Sequence, residues 1–216
     1  MSDYAKTRER MVQEQLEARG IRNPEVLRAM REVPRDRFVE EGLASGAYGD
    51  HALPIGFGQT ISQPFMVALM TELLEPQPHH RILDVGTGSG YQAAVLAKIV
   101  RTVFGIERIA QLTLRAQETL TALGVENVVL QTGDGTIGWK RFAPFDGILV
   151  AAGGPRPPAA LIEQLNEGGR LVMPAGSRES QRLLVVEKHA GGKTSAHWGI
   201  GCSFVPLLGR EAWEEP

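Results

Sequence analysis

Leu83-Asp84-Val85-Gly86-Thr87-Gly88-Ser89-Gly90-Tyr91 passes from an apolar strand through a glycine turn into a helix. Glycines in such a turn let the backbone bend tightly and let a ligand approach the main chain, and the helix start offers free N–H groups. An alternation extends from this stretch. Ile82 to Val85 reads as a strand, Tyr91 to Val100 as a helix and Thr102 to Glu107 as the second strand. Ile109 to Leu123 is helical, with Gly124 placed to cap it. Asn127 to Gln131 and Phe145 to Val150 are the third and fourth strands, Pro158 to Leu165 a short helix, and Gly169 to Met173 the fifth strand. Short β-rich runs alternating with helices specify an α/β fold with a parallel sheet covered on both faces. The C-terminal part breaks the pattern. Arg182 to Glu187 and Gly201 to Val205 read as strands joined through Gly191-Gly192 with no long helix between them, which predicts an antiparallel pair at the sheet edge.

Upstream of the sheet, the first forty residues read as helical. Asn23-Pro24 pairs an N-cap residue with proline at the first helical position, and Val26, Leu27 and Met30 give one apolar face. Residues 42–62 change character: Gly42, Gly46, Gly49, Gly56 and Gly58 predict a long irregular connection, the kind that tends to carry function. Pro64 starts another helix, with Phe65, Ala68, Leu69 and Leu73 inward, ending before Pro76.

The totals fit one α/β domain with extensions: 216 residues, 43% hydrophobic, formal net charge -2. No stretch approaches the ~20 apolar residues of a membrane span, and no apolar signal core follows Met1 to Lys6, so a cytoplasmic protein is expected. Eight arginines from Arg8 to Arg37 are interleaved with acidic residues, which reads as a solvated face and not a nucleic-acid stripe. Cys202 is the only cysteine, which excludes an intrachain disulfide, and adjacent His79 and His80 do not make a metal site, so no metal is expected.

The glycine turn takes a nucleoside ligand on this reading. Glu107 closes the second strand, where its carboxylate is placed to accept from ribose hydroxyls. A dinucleotide fingerprint is G-x-G-x-x-G, whereas this turn reads G-x-G-x-G, with Tyr91 where the third glycine belongs. Asp84 beside a pyrophosphate is repulsive; beside a sulfonium and an amino group it is favourable. The residues therefore favour S-adenosylmethionine over NAD, with Asp84, Gly86, Thr87, Gly88, Ser89, Gly90 and Glu107 as its binding set. Asp134 and Gly135, after the third strand, join them as candidates, although an Asp-Gly pair also reads as an ordinary turn.

Leu53-Pro54-Ile55-Gly56-Phe57-Gly58-Gln59-Thr60-Ile61-Ser62-Gln63-Pro64, followed some twenty residues later by the glycine turn, resembles the protein-L-isoaspartate O-methyltransferase family. The resemblance runs from Arg10-Met11-Val12 to the Phe204-Val205-Pro206-Leu207 tail. It implies a doubly wound, mostly parallel Rossmann-like methyltransferase sheet of about seven strands, with an antiparallel C-terminal pair and an N-terminal helical extension. It places the active-site role on Ser62, substrate contacts on Gln59, Thr60, Ile61 and Val205, and donor contacts on the glycine turn, Glu107 and Asp134. It implies methyl transfer from S-adenosylmethionine, leaving S-adenosylhomocysteine, to damaged proteins and peptides that carry L-isoaspartyl residues. Residues 1–78 are expected to form the helical extension and substrate loop, residues 79–216 the donor-binding core, together one compact monomeric unit. Read without the resemblance, Ser62 is a helix cap ahead of Pro64. A small-molecule methyltransferase, a nicotinamide oxidoreductase and a non-catalytic nucleoside-binding module are the rival functions.

Overall fold

The computed structural model describes residues 4–214; the outermost residues of the two expected regions, 1–3 and 215–216, lie outside them. The N-terminal part is helical but interrupted. Helix α1 (Tyr4–Met11) runs on as a wide turn over Val12–Leu16 and a tight one over Glu17–Arg19, and Gly20 ends it in the left-handed conformation. Helix α2 (Pro24–Glu32) starts as expected: Asn23 Oδ1 accepts from the amides of Glu25 and Val26 at 3.0 and 3.3 Å.

The connection over 42–62 is not wholly irregular. It contains a hairpin of β1 (Leu53–Gly56) and β2 (Gln59–Ile61), with Leu53 paired to Ile61. Leu53, Ile55 and Ile61 are buried beneath it. Helix α3 (Pro64–Leu74) buries more than one stripe: Met66, Val67, Met70 and Leu74 are inside along with Phe65 and Ala68, whereas Leu69 and Leu73, expected inward, are only half-buried. A helix apolar nearly all round belongs between layers and not on a surface.

The sheet has seven strands: β3 (Arg81–Val85), β4 (Thr102–Glu107), β5 (Val128–Thr132), β6 (Phe145–Val150), β7 (Leu165–Gly176), β8 (Gln181–Lys188) and β9 (Thr194–Cys202), in the order β5-β4-β3-β6-β7-β8-β9. β3 to β7 pair in parallel, and β7-β8 and β8-β9 antiparallel. The α/β fold with an antiparallel edge is therefore as expected. Helices α4 (Tyr91–Ala97) and α5 (Ala110–Ala122) join α2 and α3 in the core on one face. The other face is covered more thinly, by the five-residue α6 (Ala159–Glu163) and by Trp139 and Phe142, which pack on Phe104, itself against Phe145. Two strands differ from expectation. β7 is longer, because pairing with β6 begins at Leu165. The last strand is Thr194–Cys202 and not Gly201 to Val205: Ser203 to Val205 leave the sheet and cross its carboxyl ends.

The chain steps outward from β3 to β5 and then returns to β6 on the other side of β3. That reversal opens a crevice at the carboxyl ends of β3 and β6, the place where open α/β sheets bind ligands.

Candidate active site

The glycine turn sits at this crevice, packed near Ala151 after β6. Gly88 has φ +55, a conformation that disfavours side chains, and a Cβ there would meet Ile55 Cδ1 of the hairpin at 3.2 Å. Gly135 is required for a different reason: a Cβ would stand 2.5 Å from Val85 Cγ1. Both leave main chain bare beside the ligand space.

Glu107 is fixed from two sides. Its Oε2 accepts from the Gly88 amide at 2.9 Å and its Oε1 from the Ile109 amide at 2.9 Å. A carboxylate has about four lone-pair sites, so it retains acceptor capacity toward the cavity it lines. Asp84 is fully buried, and both of its carboxylate oxygens lack a partner. The Thr87 hydroxyl donates instead to the Asp84 main-chain oxygen, at 3.2 Å. Burial raises the Asp84 carboxyl to about 7; the nearby Thr87 hydroxyl opposes the rise and the Glu107 charge adds to it. Asp84 lines none of the cavities around the turn; a buried carboxylate without a counter-charge favours a cation nearby, such as the amino group or sulfonium of S-adenosylmethionine, over a pyrophosphate.

Three adjoining cavities meet at Thr60 and Ala151. The first, of about 530 Å³, is lined by Gln59, Gly86, Gly88, Glu107, Gly135 and Val205, among others. The second, about 430 Å³, holds Ile61, Ser62, Thr87, Gly88, Ser89 and Gln92. The third is lined by Ser62, Gln63, Met66, Ser203, Phe204 and Val205. The tail is held in place by main-chain bonds: the Gly153 amide donates to Val205 O and the Leu207 amide to Gly153 O, both at 2.8 Å.

Ser62 therefore stands on the boundary between the glycine-turn cavity and the tail cavity. It is not a cap: the N-cap residue of α3 is Gln63, with no side-chain bond, and among the described residues the Ser62 hydroxyl has no hydrogen-bond partner. Three expected donor residues lie apart from the cavities: Asp84, whose carboxylate is enclosed, Gly90 and Asp134. Gly90 is buried with its Cα toward Ala116 of α5, 3.2 Å from a notional Cβ, so it serves helix packing. Asp134 accepts from the Thr136 amide and hydroxyl through Oδ1, at 2.9 and 2.7 Å, and from the Arg210 amide through Oδ2, at 2.9 Å. Burial pushes its carboxyl up, but the Arg210 amide and the Thr136 donors outweigh this and hold it below its ordinary value. Asp134 thus anchors the tail and shapes the turn that brings Gly135 to the first cavity. Sequence reading passed over Ala151, Ala152 and Gln92. The first two follow β6 at its carboxyl end, so the rule that selected Glu107 and Asp134 also points to them. Among the described residues no cluster of three His, Cys, Asp or Glu is placed to hold a metal, and no helix is long and apolar enough to cross a membrane.

The profile of a family described as protein-L-isoaspartate(D-aspartate) O-methyltransferase (PCMT) matches residues 6–212. A Syntrophobacter fumaroxidans protein named protein-L-isoaspartate O-methyltransferase 1 is 53% identical over 214 residues, covering 99% of this chain and 100% of that one. A Trichlorobacter lovleyi protein-L-isoaspartate O-methyltransferase is 50% identical, covering 99% of each. Among solved structures, a protein-L-isoaspartate O-methyltransferase superposes with a TM-score of 0.86 at 28% identity, over 95% of this chain and 67% of that one. A Plasmodium falciparum structure assigned to the same family, in complex with S-adenosyl-L-homocysteine, gives 0.80 at 27% identity, over 93% and 98%. With a profile match from residue 6 to residue 212 and full-length relatives identical at half their positions, the chain belongs to the protein-L-isoaspartate(D-aspartate) O-methyltransferase family.

Proposed function

We propose that this chain transfers a methyl group from S-adenosylmethionine to the free α-carboxylate of L-isoaspartyl residues in damaged proteins and peptides. The observation that carries the reading is the partnerless Ser62 hydroxyl on the wall between the glycine-turn cavity and the tail cavity. In this reading Glu107 and the bare main chain at Gly86, Gly88 and Gly135 hold the donor, and Asp84, enclosed behind the turn, contributes its negative charge; Thr87 and Ser89 complete the turn. Gln59, Thr60, Ile61 and Val205 border the acceptor. Asp134 and Gly90 support the site through the tail and α5.

The bound donor supplies an electrophilic methyl group on a sulfonium centre. The acceptor carboxylate, with a reference pKa of about 4, is already ionised at neutral pH, so the chain need not supply a general base. Its task is alignment, which contributes roughly 7–11 kcal/mol in favourable cases. Ser62 donates a hydrogen bond to the acceptor carboxylate and aims it, forming no covalent bond. Val67, Met70 and Phe204 line the path and exclude water. The ester leaves as product; its better leaving group favours succinimide closure and partial return to normal aspartate, which is repair. Residues 1–78 supply the hairpin and the acceptor side, and residues 79–216 the donor side. The enzyme acts as a cytoplasmic monomer on polypeptides and not on nucleic acid.

The test compares two peptides of one sequence, one with a normal aspartyl linkage and one with L-isoaspartyl. They share composition and charge and differ only in which carboxylate is free. A misplacement of about 1 Å costs ~100-fold in rate, so the isoaspartyl peptide is expected to be methylated at least ~100-fold faster, giving a base-labile ester that releases methanol. Equal rates, or a base-stable methyl group, would reject the assignment.

A further inference from the structure

The Gln92 amide is fixed by a chain of hydrogen bonds with one possible direction. The Thr71 hydroxyl donates to Val67 O within α3, at 2.7 Å. Its single proton is thereby committed, so toward Gln92 it can only accept. Gln92 must present its NH2 group, and does so at 2.8 Å. The other end of the amide, Oε1, is then an acceptor pointing away from Thr71. It has no partner among the described residues, yet it is not among the enclosed, partnerless atoms, although Gln92 is 8% exposed as a whole. It therefore opens onto the space that Gln92 lines, the cavity shared by Ser62 and Gly88.

The same cavity has an apolar part, from Val67 and Met70 of α3 and from Tyr91, whose hydroxyl is turned to Met30 Sδ at 3.7 Å; Thr60, Ser62, Thr87 and Ser89 line it elsewhere. A rigid carbonyl dipole on such a wall is suited to a group that is positively polarised but has no strong donor. Ser62 aims the acceptor from this same cavity, while Glu107 lies in the neighbouring one. Because Ser62 borders both this cavity and the tail cavity, a methyl group passing from the donor to an acceptor that Ser62 aims would cross the space beside Gln92.

We infer that Gln92 recognises the charged methyl end of the donor, its Oε1 accepting weak C–H bonds from the sulfonium methyl group, and so distinguishes S-adenosylmethionine from S-adenosylhomocysteine. This rests on the donor site described above. The product lacks both the charge and the methyl group, so Oε1 gains nothing from it and product release is favoured. Thr71 is the positioning residue that prevents the amide from turning over.

Calorimetric titration of the purified protein with each of the two compounds tests this. Weak C–H···O contacts to a cation are modest, so Gln92→Leu is expected to weaken S-adenosylmethionine binding roughly three- to tenfold while S-adenosylhomocysteine changes less than about twofold. Gln92→Glu, which keeps an oxygen in place, is expected to retain or increase the preference for the charged compound, and Thr71→Val to lose part of it. If both affinities fall together, or the ratio is unchanged across the variants, Gln92 only shapes the wall and the inference is overturned. Should Gln92→Leu not fold, the ratio in Gln92→Glu and Thr71→Val decides. Wild-type protein that binds neither compound would reject the donor site itself, a different outcome from an unchanged ratio.

Discussion

Replacing Asp84 by asparagine removes a buried charge that nothing in the protein compensates. Its carboxyl is raised from 3.8 to about 7, chiefly by burial. An acid with a higher pKa folded than unfolded binds more protons in the folded state between the two values, so stability falls as pH rises through that window. Below 3.8 the group is protonated in both states and costs nothing by ionisation; above about 7 the cost is complete, roughly 4 kcal/mol for a shift of about three units. Between pH 5 and pH 8 the loss is about 2.5 kcal/mol. Asparagine keeps the shape and leaves an unsatisfied amide, costing about 1–3 kcal/mol, but that cost does not vary with pH. Urea unfolding at the two pH values should therefore show the variant gaining about 2.5 kcal/mol on the wild type from pH 5 to pH 8. A constant difference would mean that the carboxylate finds a partner or water, and would refute the reasoning. The same residue links donor binding to protons. In the proposed function the donor's cation lies near Asp84 and would favour its ionised form, so donor binding near pH 7 should release up to roughly half a proton, measurable by calorimetry in buffers of different ionisation enthalpy. The release should be absent in Asp84→Asn.

Gly88→Val places a side chain where φ is +55 and where Ile55 Cδ1 is already close; donor binding should be lost in a protein that still folds, and unchanged affinity by calorimetry would remove the turn from the site. Glu107→Gln leaves only one acceptor atom for the two amides of Gly88 and Ile109. With charge-assisted bonds worth about 1.5–3 kcal/mol, the donor dissociation constant should rise roughly tenfold or more, and an unaltered constant would show that the carboxylate faces elsewhere. Ser62→Ala should lower turnover with little change in donor affinity or melting temperature, because the hydroxyl caps nothing; a variant less stable by ~1 kcal/mol with normal turnover would restore the capping role.

Strands β3, β4 and β6 could be read from sequence because they are short β-rich runs buried on both faces and bounded by glycine or a change of polarity. The glycine turn and Glu107 followed from them, since a parallel sheet fixes where its carboxyl ends lie. The hairpin was less legible. Leu53, Ile55 and Ile61 carry its burial pattern, but Pro54 and the glycines mask the alternation, and Phe57 takes a positive φ of 55 that no propensity anticipates. Phe204 and Val205 suggested strand by their β-forming side chains, whereas the pairing went to Thr194–Cys202, a mostly exposed edge. Which of two neighbouring segments pairs depends on register with β8, not on composition. Asp134 shows a further limit: the Arg210 amide that engages it is 76 residues away, so a local Asp-Gly motif contained no sign of it.

In the proposed function, the hairpin also explains why donor and acceptor roles would share one stretch of chain. Ile55 of β1 packs over Gly88, and β2 continues directly into Ser62. Arg115 of α5 steadies the hairpin from outside, its Nη1 donating to Ile55 O at 3.5 Å and its guanidinium lying 5.4 Å from the Phe57 ring centre. The residue that seals the glycine turn and the residue that borders the acceptor cavity are thus seven positions apart on a single paired element. A shift of the hairpin moves both, and the alignment that methyl transfer needs is sensitive to displacements of about 1 Å. The Thr60-Ile61-Ser62 segment is therefore placed through its pairing with β1, whose Ile55 fits against a glycine that lacks a side chain.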